Sequence, residues 1–141
     1  MQLFKWKKAH EVFLPQIDAE HRNLFRLGEE IHGAIQAGAD PDHIRGLLRS
    51  LEATTEEHFL HEERRMRAVQ YSAYAWHKQQ HDTARKRLKE LSARIEAGDG
   101  KAPGELLEFL AHWLHDHTRL TDRMMGAHLR NQERLARAQA S

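Results

Sequence analysis

The chain contains no cysteine, which excludes disulfide staples, thiolate metal sites and thiol nucleophiles together. It carries only 3 prolines and 8 glycines in 141 residues, so there are few places where a helix must break. No run approaches the roughly 20 apolar residues of a membrane span. The opening MQLFKWKKAHEVF lacks the apolar stretch of a secretory signal. Neither charge sign dominates: 22 Lys and Arg against 21 Asp and Glu leave a net charge of +1. That balance gives no footprint for nucleic acid or an anionic membrane, and the local run Arg64, Arg65 and Arg67 reads as a solvated helix end. The expectation is a cytoplasmic protein with neither nucleic acid nor membrane as a partner.

What the chain has in excess is histidine, 12 residues of it. Imidazole is the commonest side-chain metal ligand, so the count directs attention to spacing. A chain of this length fits one domain, 1–141, and buries roughly two-thirds of its unfolded surface. It needs no metal to fold, and a metal would serve function.

Glycine and proline divide the chain into an arm (1–17), a bundle (about 18–125) and a short polar tail (126–141). Four helices are expected, over about 18–37, 41–69, 72–97 and 103–125. Asp18 is the expected N-cap of the first, and Pro41 with Asp42 opens the second. The tail reads as a short extra helix or a frayed end. No strand-like alternation occurs, and short connections favour antiparallel neighbours. The expected fold is therefore all-α, an up-down-up-down four-helix bundle.

Helical periodicity puts Ile17, His21, Leu24, Gly28, Ile31 and Ile35 on one face of the first helix. The second presents Ile44, Leu47, Leu51, Thr54 or Thr55, His58, Glu62, Met66 and Val69. The third presents His77, His81, Ala84, Leu88, Leu91 and Ile95, and the fourth Leu106, Leu110, Trp113, His117, Leu120 and Met124. His58 with Glu62, and His77 with His81, are i,i+4 pairs that share a face. A carboxylate such as Glu62 on an aliphatic stripe loses several kcal/mol of solvation unless something pairs with it. Any one histidine here reads as a core residue with a hydrogen-bond partner. Five of them, at matching depth toward one end of the bundle, read as metal ligands.

Asp122 lies i+5 from His117, about 140° around an ideal helix, and reaches the same site only if the helix is locally distorted, for which a π-bulge suffices. A rival pair on the fourth helix, His112 and Asp116, lies about 140° and 100° from His117 and off the aliphatic stripe. His117 is preferred over it. His61 sits at the edge of its stripe, within reach of a supporting role. His32, His43 and His115 fall on polar faces, and His10 and His128 carry no signal.

Imidazoles with few carboxylates suit iron, zinc, copper or nickel; calcium and magnesium prefer oxygen shells. Seven donors exceed the needs of one ion and suit two. With only two anionic ligands, such a centre is better suited to reversible ligand binding than to oxidising a substrate.

Ile17-Asp18-x-x-His21-x-x-Leu24, His58-Phe59-x-x-Glu62-Glu63-x-x-Met66, Tyr71 followed by His77-x-x-x-His81, and Trp113-Leu114-x-x-His117-x-x-x-x-Asp122 together resemble the hemerythrin family, specifically single-domain bacteriohemerythrins. Phe4-x-Trp6 is similar to that family's arm, and the likeness runs from about residue 4 to residue 125. It implies two non-haem irons with an oxo or hydroxo bridge, binding O2 reversibly for storage, transport or delivery. By motif position His77, His81 and His117 hold one iron, His21 and His58 hold the other, and Glu62 and Asp122 bridge them. Phe59, Trp113 and Leu114 match the family's O2 pocket. The implied protein is a monomer and no enzyme, with an O2-consuming enzyme as the kind of recipient. Competing readings are a sensor of O2, redox state or iron, and a di-iron peroxidase or nitric-oxide-handling enzyme. Two positions depart from the family: Glu20, where members often carry Gln, and Thr118, where an aliphatic residue is usual.

Overall fold

The computed structural model describes residues 3–140. Among them every regular element is helical: a 3-10 turn Lys8–His10, α1 Pro15–Gln36, α2 Pro41–Ala68, α3 Tyr74–Glu96, α4 Ala102–Asp116, a π-helical turn His117–Asp122, and α5 Arg123–Ala140. The last three run on without a break, so the chain makes four long passes, packed as a bundle. No helix among the described residues is long and apolar enough to cross a membrane.

The helix starts follow local chemistry. In α2 the Asp40 carboxylate caps the Asp42 amide, and Pro41 occupies the first turn, where its missing N–H costs nothing. The first helix departs from expectation. It begins at Pro15, three residues before the supposed cap Asp18. The Asp18 side chain instead accepts from the amides of Val12 (2.8 Å) and Phe13 (3.1 Å). Proline presets the helical φ at position 15 and lets the helix start early. Asp18 is then free to satisfy the arm where it reverses at Phe13, a residue with φ of 62°.

The arm is part of the core. Phe4 is buried against α1, and a Cβ on Gly28 would sit 2.8 Å from its ring, so that helix position requires glycine. Lys7 N–H donates to His10 Nδ1 (2.9 Å), His10 Nε2 to His115 Nδ1 (2.8 Å), and His115 Nε2 to the Leu3 carbonyl (3.2 Å). This relay of neutral imidazoles ties the arm to α4, and burial first, then His115, lowers the His10 pKa to about 4.

Two apolar layers form. One, the upper, gathers Phe4, Leu24, Phe25, Ile31, Leu51, Leu88, Leu91, Leu106, Leu110 and Leu114. The other gathers Val12, Leu14, Ile17, Met66, Tyr71, Met125 and Leu129. On every pass the candidate ligands fall between these layers: His21 between Ile17 and Leu24, His58 and Glu62 between Leu51 and Met66, His77 and His81 between Tyr71 and Leu88, His117 and Asp122 between Leu114 and Met125. The segment 126–140, expected as tail, is the body of α5. Its Leu129 is buried, and at Gly126 an added Cβ would meet Val12 at 2.9 Å.

Candidate metal centre

The seven residues singled out in the sequence meet in the polar layer, and each is 4 % exposed or less. Glu62, His77, His81, His117 and Asp122 each place a donor atom within 4.8 Å of the others, and so do His21, His58, Glu62 and Asp122. Both carboxylates belong to both groups, and each divides its oxygens between them. Glu62 Oε2 lies 3.2 Å from His21 Nε2 and 3.0 Å from His58 Nε2, while Oε1 lies 3.1 Å from His81 Nε2 and 3.4 Å from His77 Nε2. Asp122 Oδ2 lies 3.1 Å from His21 Nε2, and Oδ1 lies 3.0 Å from both His77 Nε2 and His117 Nε2.

All five imidazoles thus present Nε2 to the carboxylates. His77 Nε2, His117 Nε2 and Asp122 Oδ1 are buried without a hydrogen-bond partner among the described residues. Each such atom costs about 1–3 kcal/mol unless something else satisfies it. Cations shared by the two groups would do so. Neutral nitrogen donors with two carboxylates fit transition-metal ions and not calcium or magnesium.

Among themselves these side chains form a strongly coupled charge cluster. Burial opposes a charged His58, but the Glu62 charge and hydrogen bonds to Glu20 and Glu62 overcome it and push the ring to about 10. His77 rises to about 9 for similar reasons, with Asp122 its chief partner against burial. At His117 burial outweighs Asp122 and the ring is lowered. The surrounding imidazoles hold Glu62 well below the carboxylate range despite burial, and likewise Asp122 despite burial and the nearby Glu62 charge.

Behind the first ring of donors, three histidines use Nδ1 to fix their orientation and tautomer. His58 donates to Glu20 (2.6 Å), whose other oxygen accepts from His61 (2.8 Å). His81 donates to Glu63 (2.8 Å), which is paired with Arg85 (2.9 Å). His117 donates to Gln80 (2.9 Å), whose same oxygen accepts from Thr121 (2.7 Å). Of these partners, His61 had a sequence signal, from its place at the stripe edge. Glu63 looked about 100° away from Glu62 on an ideal wheel. It reaches His81 on the neighbouring helix all the same, since adjacent positions on α2 face different neighbours. Gln80 carried no signal, because a polar residue beside the His81 stripe looks like surface.

The fourth pass corrects the expected stripe. Leu120 and Met124 are 60 % and 55 % exposed, while Thr118, Thr121, Asp122 and Met125 are buried. The π turn reaches one residue further back per hydrogen bond and so rotates every later side chain. Asp122 comes round toward His117, as the distortion required. His112 and Asp116 stay at the surface, at the rim of a cavity of about 490 Å³ floored by His117, Trp113 and Gln80. Phe59 stacks on His81 (4.0 Å, 7°) and Trp113 on His117 (4.2 Å, 13°), while Leu114 packs into the upper apolar layer. Thr118, next in the chain to His117, is buried.

A family model described as the hemerythrin HHE cation binding domain matches residues 12–129. A bacteriohemerythrin of Clostridium acetobutylicum is 28 % identical over 86 % of this chain and 97 % of its own length. A bacteriohemerythrin of Aquifex aeolicus is 32 % identical over 80 % of this chain and 85 % of its own. Myohemerythrin-1 of Phascolopsis gouldii is 29 % identical over 84 % and 88 % respectively.

Proposed function

This chain belongs to the hemerythrin family, and from that premise we propose that it binds O2 reversibly at a non-haem di-iron centre, for storage, transport or delivery. The observation that carries the reading is the division of Glu62 and Asp122 between two histidine groups, Oε1 and Oδ1 to one, Oε2 and Oδ2 to the other. One iron would be held by His77, His81 and His117 and the other by His21 and His58, with Glu62 and Asp122 available to both. Two ferrous ions held there would supply the two electrons needed for reversible O2 binding.

The chain's own residues keep that exchange reversible. Glu20, Glu63 and Gln80 hold Nδ1 of His58, His81 and His117, so Nε2 stays the donor toward the centre. With two histidines in one group and three in the other, the two-histidine group would be the one to take O2. Phe59 and Trp113, stacked on His81 and His117, and the buried Leu114 are the apolar groups that would line an O2 pocket and keep water from it. A monomer that hands O2 to an O2-consuming enzyme completes the reading.

The test is to reduce the protein without oxygen, count iron, and record visible spectra as O2 is added and withdrawn. Two irons per chain and a charge-transfer band that comes and goes with O2 are expected. Two irons with prompt irreversible oxidation would point to an enzyme or redox sensor, and no iron would overturn the assignment.

A further inference from the structure

We infer that Gln80 is the positioning residue that holds the π turn, and through it Asp122, in the centre. The inference rests on the di-iron reading for its consequence but not for its geometry. A π turn is rarer and weaker than the α-helix on either side, and it persists only where its surroundings over-determine it. Two constraints do so here. The first is apolar packing on both flanks, with Leu106, Leu110 and Leu114 set in the upper layer and Met125, Gly126 and Leu129 set in the lower. These two sets are out of step by one residue for a continuous α-helix, so an extra residue must be absorbed between them. They do not say where in the segment it goes.

Gln80 supplies that information. Its Oε1 accepts from His117 Nδ1 (2.9 Å) at the start of the turn and from Thr121 Oγ1 (2.7 Å) near its end. One oxygen on α3 therefore pins two residues four apart and fixes the widening to His117–Asp122. The same bond keeps the proton of His117 on Nδ1, leaving Nε2 to face Asp122 Oδ1 at 3.0 Å. Without it the extra residue is free to move along the helix, the His117 ring is free to change tautomer, and Asp122 loses its fixed place opposite His21, His77 and His117. Since Asp122 serves both histidine groups and His117 serves the three-histidine one, both ions are held less tightly.

The experiment compares wild type with Gln80→Leu, which keeps bulk and loses the acceptor, and Gln80→Glu, which keeps an acceptor. Amide hydrogen exchange over 117–122 is measured on protein stripped of metal, the His117 tautomer is read by nitrogen NMR, and ferrous iron is titrated without oxygen. Gln80→Leu is expected to raise exchange in that segment at least tenfold, a size set by the loss of two ordinary hydrogen bonds. It should also weaken ferrous binding at least tenfold, with helix content unchanged and Gln80→Glu restoring both readouts. Should Gln80→Leu fail to fold, Thr121→Val removes one of the two bonds and is expected to raise exchange severalfold. Unchanged exchange in Gln80→Leu, or in Thr121→Val in its place, overturns the inference. Absence of iron from wild type sinks the di-iron reading and leaves the exchange and tautomer results to decide the role of Gln80 alone.

Discussion

The two halves of the centre share Glu62 and Asp122 but are supported differently. Behind His77, His81 and His117 stand a buried Glu63 neutralised by Arg85, the doubly used carbonyl of Gln80, and two aromatic rings stacked on imidazoles. Behind His21 and His58 stands Glu20, half-buried, sharing its charge with His61 at the wall of a polar cavity of about 510 Å³. One ring in each half, His21 and His77, has an Nδ1 with no hydrogen-bond partner among the described residues. The three-histidine half is backed by a buried, paired carboxylate and by stacked aromatic rings, with a cavity of about 490 Å³ reaching His117. The two-histidine half is backed by groups that touch solvent. That asymmetry suits a centre in which one ion is held still and the other must accept and release a ligand.

The largest break in this comparison comes from removing what the halves share. Glu62→Ala is expected to lose binding in both, dropping iron from two per chain to less than one by elemental analysis. Retention of two would show that the carboxylate is not shared. His58→Ala strikes one half only and should remove the second iron and the O2-dependent visible band. Full iron occupancy in that variant would exclude His58 from the ligands.

Acidity distinguishes the stripped protein from the loaded one. An unfolded histidine titrates near 6.5, whereas His58 and His77 are pushed to about 10 and about 9 in the fold. The folded state binds more protons between those values, so their stabilisation is complete below about pH 6.5 and disappears as pH rises through 9–10. Thermal melts of stripped protein should therefore fall from pH 7 to pH 10. Ferrous binding at pH 7 should release protons, since ligating imidazoles must be neutral, and calorimetry in buffers of different ionisation enthalpy would detect it. A flat melting profile would contradict the coupled cluster.

A smaller effect separates the outer supports. Arg85→Met leaves Glu63 buried without its cation and should cost roughly 1–3 kcal/mol, discounted for the partial exposure of Arg85. Glu20→Gln keeps a hydrogen bond to His58 at a half-open site and should cost about 1 kcal/mol or less. Equal losses in chemical denaturation would remove the contrast between the halves. Least of all, His112→Ala and Asp116→Ala should leave the iron count unchanged, and loss of iron there would move the fourth-pass ligands to the surface pair.

Much of this was legible from residue order. Ile17, His21 and Leu24, or Leu51, His58, Glu62 and Met66, fall on one face because helical geometry repeats whatever the partners are. A polar group on such a face announces its own desolvation cost. Periodicity failed at Leu120 and Met124, because it assumes an unbroken α-helix and the π turn changes phase after His117. It also missed His10 and His115, whose pairing depends on where the arm folds back. Glu63 and Gln80 escaped because each acts on a histidine of another helix.

Sequence by itself thus determined the helical passes, the apolar stripes and six of the seven inward donors, since these follow from local hydrogen bonding and a fixed angular repeat. Tertiary structure decided the π turn, the arrival of Asp122, and the partners behind each imidazole. Those depend on apolar layers packing out of step along one helix and on side chains meeting across helices. No repeat within a single segment encodes either.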